Sequence, residues 1–366
     1  MKIALFAQCM YFPWIEWIKN NSLLLSKELT QKLDLEIISH KPKSKIDDNN
    51  LIWLKVNYLL NLSDNKFLQF FYFFLWAIKS LCFIYKKNIK TISFQYLETS
   101  FILPMIFISL FKWDTKFILT IYSTDEVSIW YKKIILKLLK FKFKKIVIIS
   151  EYLRTFLLEL WYKNENIIYI PLSYNKDRYL NLAVFEKKDK NTLLFSAWII
   201  KKSWSFFMVD LASIMPDYKF IFALRKFNKK SEDELDLLEK YIKEKWVKNI
   251  EIRRNIEKME DLLWEVWCLI LPLQDINIKM LIPVALLEAM ARWTICFISD
   301  LPNLKLLVTD KKNAVIFKKN DLFDLKDKIN KFIDNKDISN NAYNFWKSFP
   351  DYKEIWEKYF NLLKNI

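Results

Sequence analysis

The chain has no glycine among its 366 residues, although an average protein of this length contains about 25. Glycine adopts positive φ at low cost, and helices commonly end with one in the left-handed conformation. A fold of this size therefore needs some other residue at such positions. Tryptophan occurs 15 times, and three copies follow a helical apolar run and precede a strand-like run: Trp161, Trp246 and Trp293.

Tryptophan is a costly residue in the left-handed region, because a bulky side chain is a steric outlier there. The excess of lysine over arginine, together with abundant isoleucine, asparagine and phenylalanine, is typical of an AT-rich genome. We hypothesise that UGA specifies glycine in the source and has been read as tryptophan, so that most tryptophans stand for glycine. The hypothesis predicts positive φ at positions 161, 246 and 293. The alternative is a genuinely tryptophan-rich chain, and Trp356, inside a helical run, fits authentic tryptophan on either view.

Histidine and cysteine are scarce, which excludes several kinds of site. His40 is the single histidine, and the four cysteines lie apart in apolar runs without CxxC or Cys–His spacing. The sequence therefore predicts no zinc or other metal site and no disulfide scaffold, and a reducing compartment, the cytoplasm, fits this cysteine usage.

Long hydrophobic runs are also missing. The N-terminal MKIALFAQ is a short strand-like run without the apolar core and cleavage site of a signal peptide. The most apolar stretch, residues 67–85, is interrupted by polar residues and barely reaches spanning length. We expect a buried or membrane-surface helix there.

The net charge of +16 has a local centre in residues 131–145, which contain seven lysines and no acid. Four lysines recur on one face of a predicted helix: Lys133, Lys137, Lys140 and Lys144. Three apolar side chains lie broadly opposite: Ile134, Leu138 and Phe141. This pattern is typical of a helix on an anionic membrane surface. A nucleic-acid patch is less favoured because no nucleic-acid-binding motif accompanies it, and solvated lysine from compositional drift is the remaining alternative.

Strand-like apolar runs alternate with amphipathic helical stretches through the whole chain. The alternation predicts an α/β fold of doubly wound parallel sheets, and the length favours two domains. A charged segment at 181–192 separates two strand-rich halves. We therefore predict one Rossmann-like domain over residues 1–182, a second over 190–340, and a C-terminal helical segment, 341–366, that packs back towards the first.

Residues 282–300, IPVALLEAMARWTICFISD, and the segment that follows them resemble the family-4 glycosyltransferases. The shared pattern is a Leu-Glu-Ala-Met-Ala helix start, a glycine at the position of Trp293, a strand and an asparagine-containing exit. Residues 194–212, with Trp198 and Trp204 at glycine positions, and residues 145–178 are similar to two further elements of that family. The resemblance implies the GT-B fold, in which two Rossmann-like domains face each other across a cleft and the second binds the nucleotide sugar.

Several donor-binding residues follow from the resemblance. It implies that Glu288 accepts hydrogen bonds from the ribose diol, and that the segment Pro283, Val284 and Ala285 presents backbone N–H groups to the diphosphate. The family's second acidic position is Met280 here, for which Asp275 or Asn277 would substitute. Two cations are candidates for the leaving diphosphate, Lys202 (or Lys201) and Arg225, because negative charge develops there as the glycosidic bond breaks.

Other candidates follow the predicted strands of the first half. The loop after the first strand, read with glycine at Trp14 and Trp17, suits a diphosphate held by backbone N–H groups. The family's histidine after a later strand is Tyr122 here. Asp125 or Glu126, just beyond it, would orient an acceptor hydroxyl or act as its base. The alternative is an ordinary helix-capping run, STDE.

The resemblance implies a cytoplasmic, membrane-associated glycosyltransferase that needs neither metal nor cofactor beyond its donor. It would move a sugar from a nucleotide diphosphate sugar to a lipid- or polysaccharide-linked acceptor of the cell envelope, with retention if it follows the family. We expect it at the inner face of the membrane, with an anionic membrane surface and no nucleic acid as partner. Two alternatives stay open: a nucleotide-sugar epimerase of the same architecture, and a catalytically weak GT-B protein that binds glycan or anionic lipid.

Overall fold

The strand-like runs form two separate parallel sheets in the computed structural model of the chain. The structure describes residues 2–7, 17–41, 55–61, 66–172, 176–179, 188–198, 202–225, 229–254, 256, 258–275 and 281–366. The chain divides into two units. Unit 1 comprises Met1–Asn175, Asn277–Leu281 and Pro350–Ile366, and unit 2 comprises Lys176–Ile276 and Ile282–Phe349.

The sheet of unit 1 has seven parallel strands in the order β3-β2-β1-β4-β5-β6-β7. Their bounds are β1 (Lys2–Ala7), β2 (Asp34–Lys41), β3 (Val56–Asn61), β4 (Thr91–Gln95), β5 (Lys116–Ile121), β6 (Phe143–Ile148) and β7 (Ile167–Tyr169). Strands β1 and β4 are buried almost throughout because helices cover both faces, which explains their continuous apolar runs. Strand β3, at the edge, was not among the runs that the sequence singled out.

Helices connect these strands. Their bounds are α1 (Trp17–Leu29), α2 (Lys66–Lys86), α3 (Thr99–Phe111), α4 (Asp125–Ser128), α5 (Trp130–Leu138) and α6 (Tyr152–Glu159). The C-terminal helix, which is α14 in chain order (Tyr352–Lys364), begins with a capping box in which Asp351 and Glu354 bond to each other's backbone N–H groups. Its buried side chains join one core cluster with those of α1 and the sheet.

Unit 2 has six parallel strands in the order β10-β9-β8-β11-β12-β13. Their bounds are β8 (Asp189–Trp198), β9 (Lys219–Arg225), β10 (Ile250–Arg254), β11 (Val266–Leu271), β12 (Ile295–Ser299) and β13 (Val315–Phe317). The helices are α7 (Lys202–Ser213), α8 (Lys229–Glu244), α9 (Met259–Glu265), α10 (Val284–Met290), α11 (Pro302–Lys305), α12 (Leu322–Phe332) and α13 (Lys336–Ser348). The predicted α/β fold with two doubly wound sheets is confirmed.

Three helices are followed within two or three residues by a tryptophan with positive φ: 66° at Trp161, 55° at Trp246 and 51° at Trp293. In each case the N–H of the next residue donates to the carbonyl five residues back, as in the Schellman motif that glycine normally completes. Asn88, at φ 50°, ends α2 in the same way. The prediction of left-handed tryptophans at helix ends is confirmed. Trp204 differs, since it is buried within the first turn of α7.

The predicted basic helix over residues 131–145 is too long, because the helical part, α5, ends at Leu138. Residues 143–148 pair with β5 as strand β6, and FKKIVI buries its four apolar side chains in the sheet. Consequently Lys140 lies in the intervening turn and Lys144 on the strand. Lys137 and Lys144 are exposed, whereas Lys133 and Lys140 are half-buried.

The apolar stretch 67–85 forms most of α2. Among its described side chains, four large ones are exposed, Phe71, Phe74, Ile78 and Tyr85, while Trp76 and Ala77 are buried against the sheet. Within the described ranges, no helix is both long enough and apolar enough to cross a membrane.

Candidate functional site

Three neighbouring strands of unit 2 bring the predicted donor-site segments to one sheet edge. Arg225, the last residue of β9, is paired with Trp198, the last residue of β8, and α7 begins at Lys202 just beyond it. The segment after β11, on the other side of β8, leads into α10. Because the chain turns in opposite directions from β8 and β11, this edge is a topological switch point, where open α/β sheets bind ligands.

Glu288 lies on α10 and is half-buried. The Tyr179 hydroxyl donates to its Oε1 at 2.8 Å, from a short 3₁₀ turn at Lys176–Tyr179. Arg292 supports that tyrosine, since its Nη1 donates to the Tyr179 carbonyl at 3.3 Å and its guanidinium lies 5.3 Å from the ring centre. The carboxylate is thus held where it already accepts a hydrogen bond from a hydroxyl, which is the chemistry that a ribose diol would use.

Tyr179 was not predicted as a site residue from the sequence. It lies 109 residues from Glu288 along the chain, and no local pattern links the two. The Arg292 side chain is buried and lies over the Trp264 ring at 4.1 Å. The sequence offered one clue to this arrangement. Arg292 comes four residues after Glu288 and directly follows the Leu-Glu-Ala-Met-Ala segment.

Helix α10 begins after Pro283, which is its N-cap residue. Pro283 has no N–H group, so within the predicted segment only Val284 and Ala285 have amides that could donate to a diphosphate. The amides of Val284 and Ala285 belong to the first turn, where N–H groups have no partner within the helix. These two residues remain the donors that the segment offers.

Other predicted donor residues are described less fully. Trp14, Lys201, Asn277 and Met280 lie outside the described residues, while Trp17, Lys202 and Arg225 are described by their backbone alone. Trp17 is the first residue of α1. Asp275 is described and half-buried. In the described part of the chain, no three side chains of the metal-binding types lie grouped together.

A buried polar network lies at the carboxyl ends of β4 and β5 in unit 1. The Asn21 amide donates to the Tyr122 hydroxyl at 2.7 Å, which donates to Gln95 Oε1 at 2.9 Å. The Gln95 amide donates to the Tyr359 hydroxyl of α14 at 2.5 Å. A cavity of about 20 Å³ among these side chains has room for about one water molecule. Tyr122, at the position of the family's histidine, is therefore fully buried, and burial raises its pKa well above the usual value.

Glu126 is fully buried and bonded to the backbone. Its Oε1 accepts from the amides of Tyr122 and Ser123 at 2.6 and 2.9 Å, and its Oε2 accepts from the amide of Leu97 at 2.6 Å. Burial raises the pKa of this carboxyl to about 7, while these amides and nearby Lys132 act in the opposite direction. The carboxylate ties the segment after β4 to the segment after β5.

Asp125, its neighbour, is half-buried at the start of α4. Asp125 therefore has access to solvent, whereas the Glu126 carboxylate is buried and already accepts hydrogen bonds from backbone amides. The pattern STDE thus combines a capping run with a buried backbone anchor, which the sequence did not distinguish.

Replacing Glu126 with glutamine is expected to lower the free energy of unfolding by about 2 kcal/mol, because an amide NH₂ would face backbone N–H donors. Asp125→Asn, at the half-buried neighbour, should change it by less than about 0.5 kcal/mol. Urea unfolding of both variants measures the difference. Equal stability of the two variants would contradict the anchoring role of Glu126.

Tyr96 lies directly after β4 with φ 100°, a value unusual for a bulky residue. The Lys132 ammonium lies 5.2 Å from the centre of its ring. Strained residues of this kind cluster at functional sites. Since β4 adjoins β1 at the switch point of this sheet, Tyr96 joins Asp125 as a candidate on the acceptor side.

Residues 184–347 match the family model described as glycosyl transferases group 1. The chain is a glycosyltransferase, and this part of it is similar to the group 1 family. The matched residues include β8 to β13 and Glu288, so the family match covers the sheet edge described above. No curated protein sequence matches the chain.

Solved glycosyltransferase structures share its fold from end to end. A glycosyltransferase from Rickettsia africae is 14% identical with a TM-score of 0.78, covering 100% of this chain and 98% of that one. The HepE protein of Anabaena, solved with UDP, is 10% identical with a TM-score of 0.80, covering 100% of both chains. The lipopolysaccharide outer core galactosyltransferase WaaB is 14% identical with a TM-score of 0.69, covering 99% of both. At these identities the likeness shows the fold, which is GT-B.

Proposed function

We propose that this glycosyltransferase moves a hexose from a nucleoside diphosphate sugar to a lipid- or polysaccharide-linked acceptor of the cell envelope. We further propose that it belongs to family 4, retains the anomeric configuration and works without a metal ion or other cofactor. Its place would be the cytoplasm, at the inner face of the membrane. The observation that carries the proposal is the hydroxyl-accepting carboxylate of Glu288 on α10, within the group 1 match.

The donor class is supported by the edge of the unit 2 sheet. Glu288 offers a charged acceptor to a ribose diol, and the first-turn amides of α10 offer donors to a phosphate. Lys202 is the first residue of α7 and Arg225 is the last residue of β9, both at the same edge of the sheet. Cations there would stabilise the leaving diphosphate. Since HepE has been solved with UDP and with UDP-glucose, a UDP-hexose is the first donor to test.

The acceptor class is supported less directly. WaaB, which acts on the outer core of lipopolysaccharide according to its name, shares the fold. The net charge of +16 suits a protein that works beside an anionic lipid surface. Asp125 and Tyr96 are the residues that we propose to contact the acceptor.

The test is incubation of the purified protein with a panel of UDP- and GDP-sugars and a lipid extract of the native membranes. We expect release of one nucleoside diphosphate and transfer of one labelled sugar to lipid, unchanged by EDTA, with the anomer of the donor retained on NMR. Recovery of an epimerised donor instead would favour the epimerase. Absence of both products across the panel would contradict the proposed activity.

A further inference from the structure

Large apolar side chains are exposed mainly on unit 1. Among the described residues, fourteen of the eighteen large apolar side chains that are exposed belong to that unit. Soluble monomers rarely expose extended apolar patches, and such patches mark sites of interaction. The concentration of exposed apolar area therefore indicates that another body covers part of unit 1.

The clearest part runs along α5 and the turn after it. Four exposed side chains recur at intervals of four, four and three residues: Trp130 (72%), Ile134 (46%), Leu138 (63%) and Phe141 (62%). This spacing places the three on the helix on one face and carries the stripe into the turn. Buried Lys132 and Leu136 hold the opposite side of α5 against the unit. We call the exposed stripe the α5 surface.

The turn before β5 continues the α5 surface. The Lys142 ammonium donates to the backbone carbonyls of Lys112 and Trp113 at 3.2 and 3.0 Å. The same ammonium lies 5.9 Å from the ring centre of Trp113 and 6.0 Å from that of Phe141. Trp113 is 81% exposed, so two large exposed rings flank one lysine and extend the stripe beyond α5.

Lysines border the stripe, and no acid occurs between residues 127 and 150. We call four lysines of this segment the bordering lysines: Lys133 and Lys137 on α5, Lys140 in the turn and Lys144 on β6. Of these, Lys137 and Lys144 are exposed and the other two are half-buried. A row of cations beside an apolar row complements a bilayer that has anionic headgroups. A second copy of this chain fits less well, because a twofold contact would bring the same lysines together. A nucleic acid would leave the apolar row in water.

We propose that the α5 surface docks unit 1 onto an anionic lipid bilayer. Ile134, Leu138 and Phe141 enter the interfacial layer, and the bordering lysines contact the headgroups. The inference specifies which surface of the chain would bind the membrane of the proposed function. It rests on that function only in assuming a lipid-linked acceptor. It does not depend on tryptophan, because these three side chains remain if positions 113 and 130 carry glycine.

The test is sedimentation of the full chain with vesicles of equal parts phosphatidylcholine and phosphatidylglycerol, compared with pure phosphatidylcholine, without any donor. One variant replaces the four bordering lysines with glutamine. Its control carries the same change at four exposed lysines of unit 2: Lys243, Lys248, Lys312 and Lys319. A second variant, Leu138→Ser with Phe141→Ser, has Leu306→Ser with Phe323→Ser as its control, at exposed positions of unit 2.

We expect the unchanged chain to bind the vesicles that contain phosphatidylglycerol and not those of pure phosphatidylcholine. The lysine variant should lose up to about 600-fold in partitioning, at up to about fivefold per lysine, and its control much less. The serine variant should lose at least about tenfold. Equal losses in variants and controls, or no binding by the unchanged protein, would overturn the inference.

Transfer to an acceptor dispersed in detergent separates this inference from the proposed function. We expect the α5 variants to keep that activity, because the substitutions lie outside the donor site. Transfer without vesicle binding would overturn the docking surface alone. Vesicle binding without transfer by the unchanged protein would support docking and overturn the proposed function.

Discussion

Replacing Glu288 with alanine is expected to reduce donor affinity or transfer by about 10- to 150-fold. A hydrogen bond to a charged group contributes roughly 1.5–3 kcal/mol, and the variant removes the acceptor on which the ribose contact depends. The measurement is donor binding by calorimetry together with the rate of transfer. Glu244→Ala, on the exposed end of α8, is the matched control and should leave both quantities unchanged.

Tyr179→Phe refines this prediction, because it removes the hydroxyl that holds Glu288 and keeps the carboxylate. Loss of one such bond should weaken donor binding by about threefold to tenfold, less than the loss of the acid. The double variant should lose no more donor affinity than Glu288→Ala alone, since Tyr179 acts through Glu288. Normal transfer by Glu288→Ala would contradict the ribose contact while leaving the fold assignment intact.

Glycine at positions 161 and 246 is expected to stabilise the chain relative to tryptophan, by about 1 kcal/mol at each position. The left-handed conformation costs roughly 1–2 kcal/mol for a residue with a Cβ atom, and the greater freedom of glycine in the unfolded chain offsets part of that. Both side chains are largely exposed, at 77% and 84%, so little packing is lost. Urea unfolding of Trp161→Gly and Trp246→Gly measures the gain.

Two controls separate this from a general effect of removing tryptophan. Trp246→Ala keeps the Cβ atom and should give little gain. Trp356→Gly should destabilise the chain by at least about 3 kcal/mol, because this side chain is buried in α14. Peptide masses from the native protein test the recoding hypothesis itself, and tryptophan at 161, 246 and 293 would refute it.

Much of the architecture was predictable because its signals are local. The apolar runs of β1 and β4 are continuous because both faces of a parallel sheet are buried. The positive φ of the tryptophans after α6, α8 and α10 was predictable from the helical and strand-like runs on either side of them, and the structure has positive φ at each. The likeness to glycosyltransferases was visible in a short, contiguous segment around Glu288.

The predictions that failed were those in which one local pattern supported two structures. The lysines after Tyr131 continue at helical spacing beyond Leu138, yet the chain turns because Phe143–Ile148 is needed as a strand beside β5. Helix propensity and charge spacing stabilise a helix less than burial stabilises a strand in a parallel sheet.

Edge strand β3 was missed because its run, VNYLLN, carries no strong signal of its own.

The sequence by itself determined the two doubly wound sheets, the left-handed helix ends and the place of Glu288 on a helix within a glycosyltransferase-like segment. Only the tertiary structure decided that Glu126 is a buried anchor, that Tyr179 holds Glu288, and that Ile134, Leu138 and Phe141 face solvent. The physical reason is the range of the interactions. Periodicity and chain reversal are properties of neighbouring residues, whereas burial and hydrogen-bond partners depend on residues that meet only when the sheets have formed.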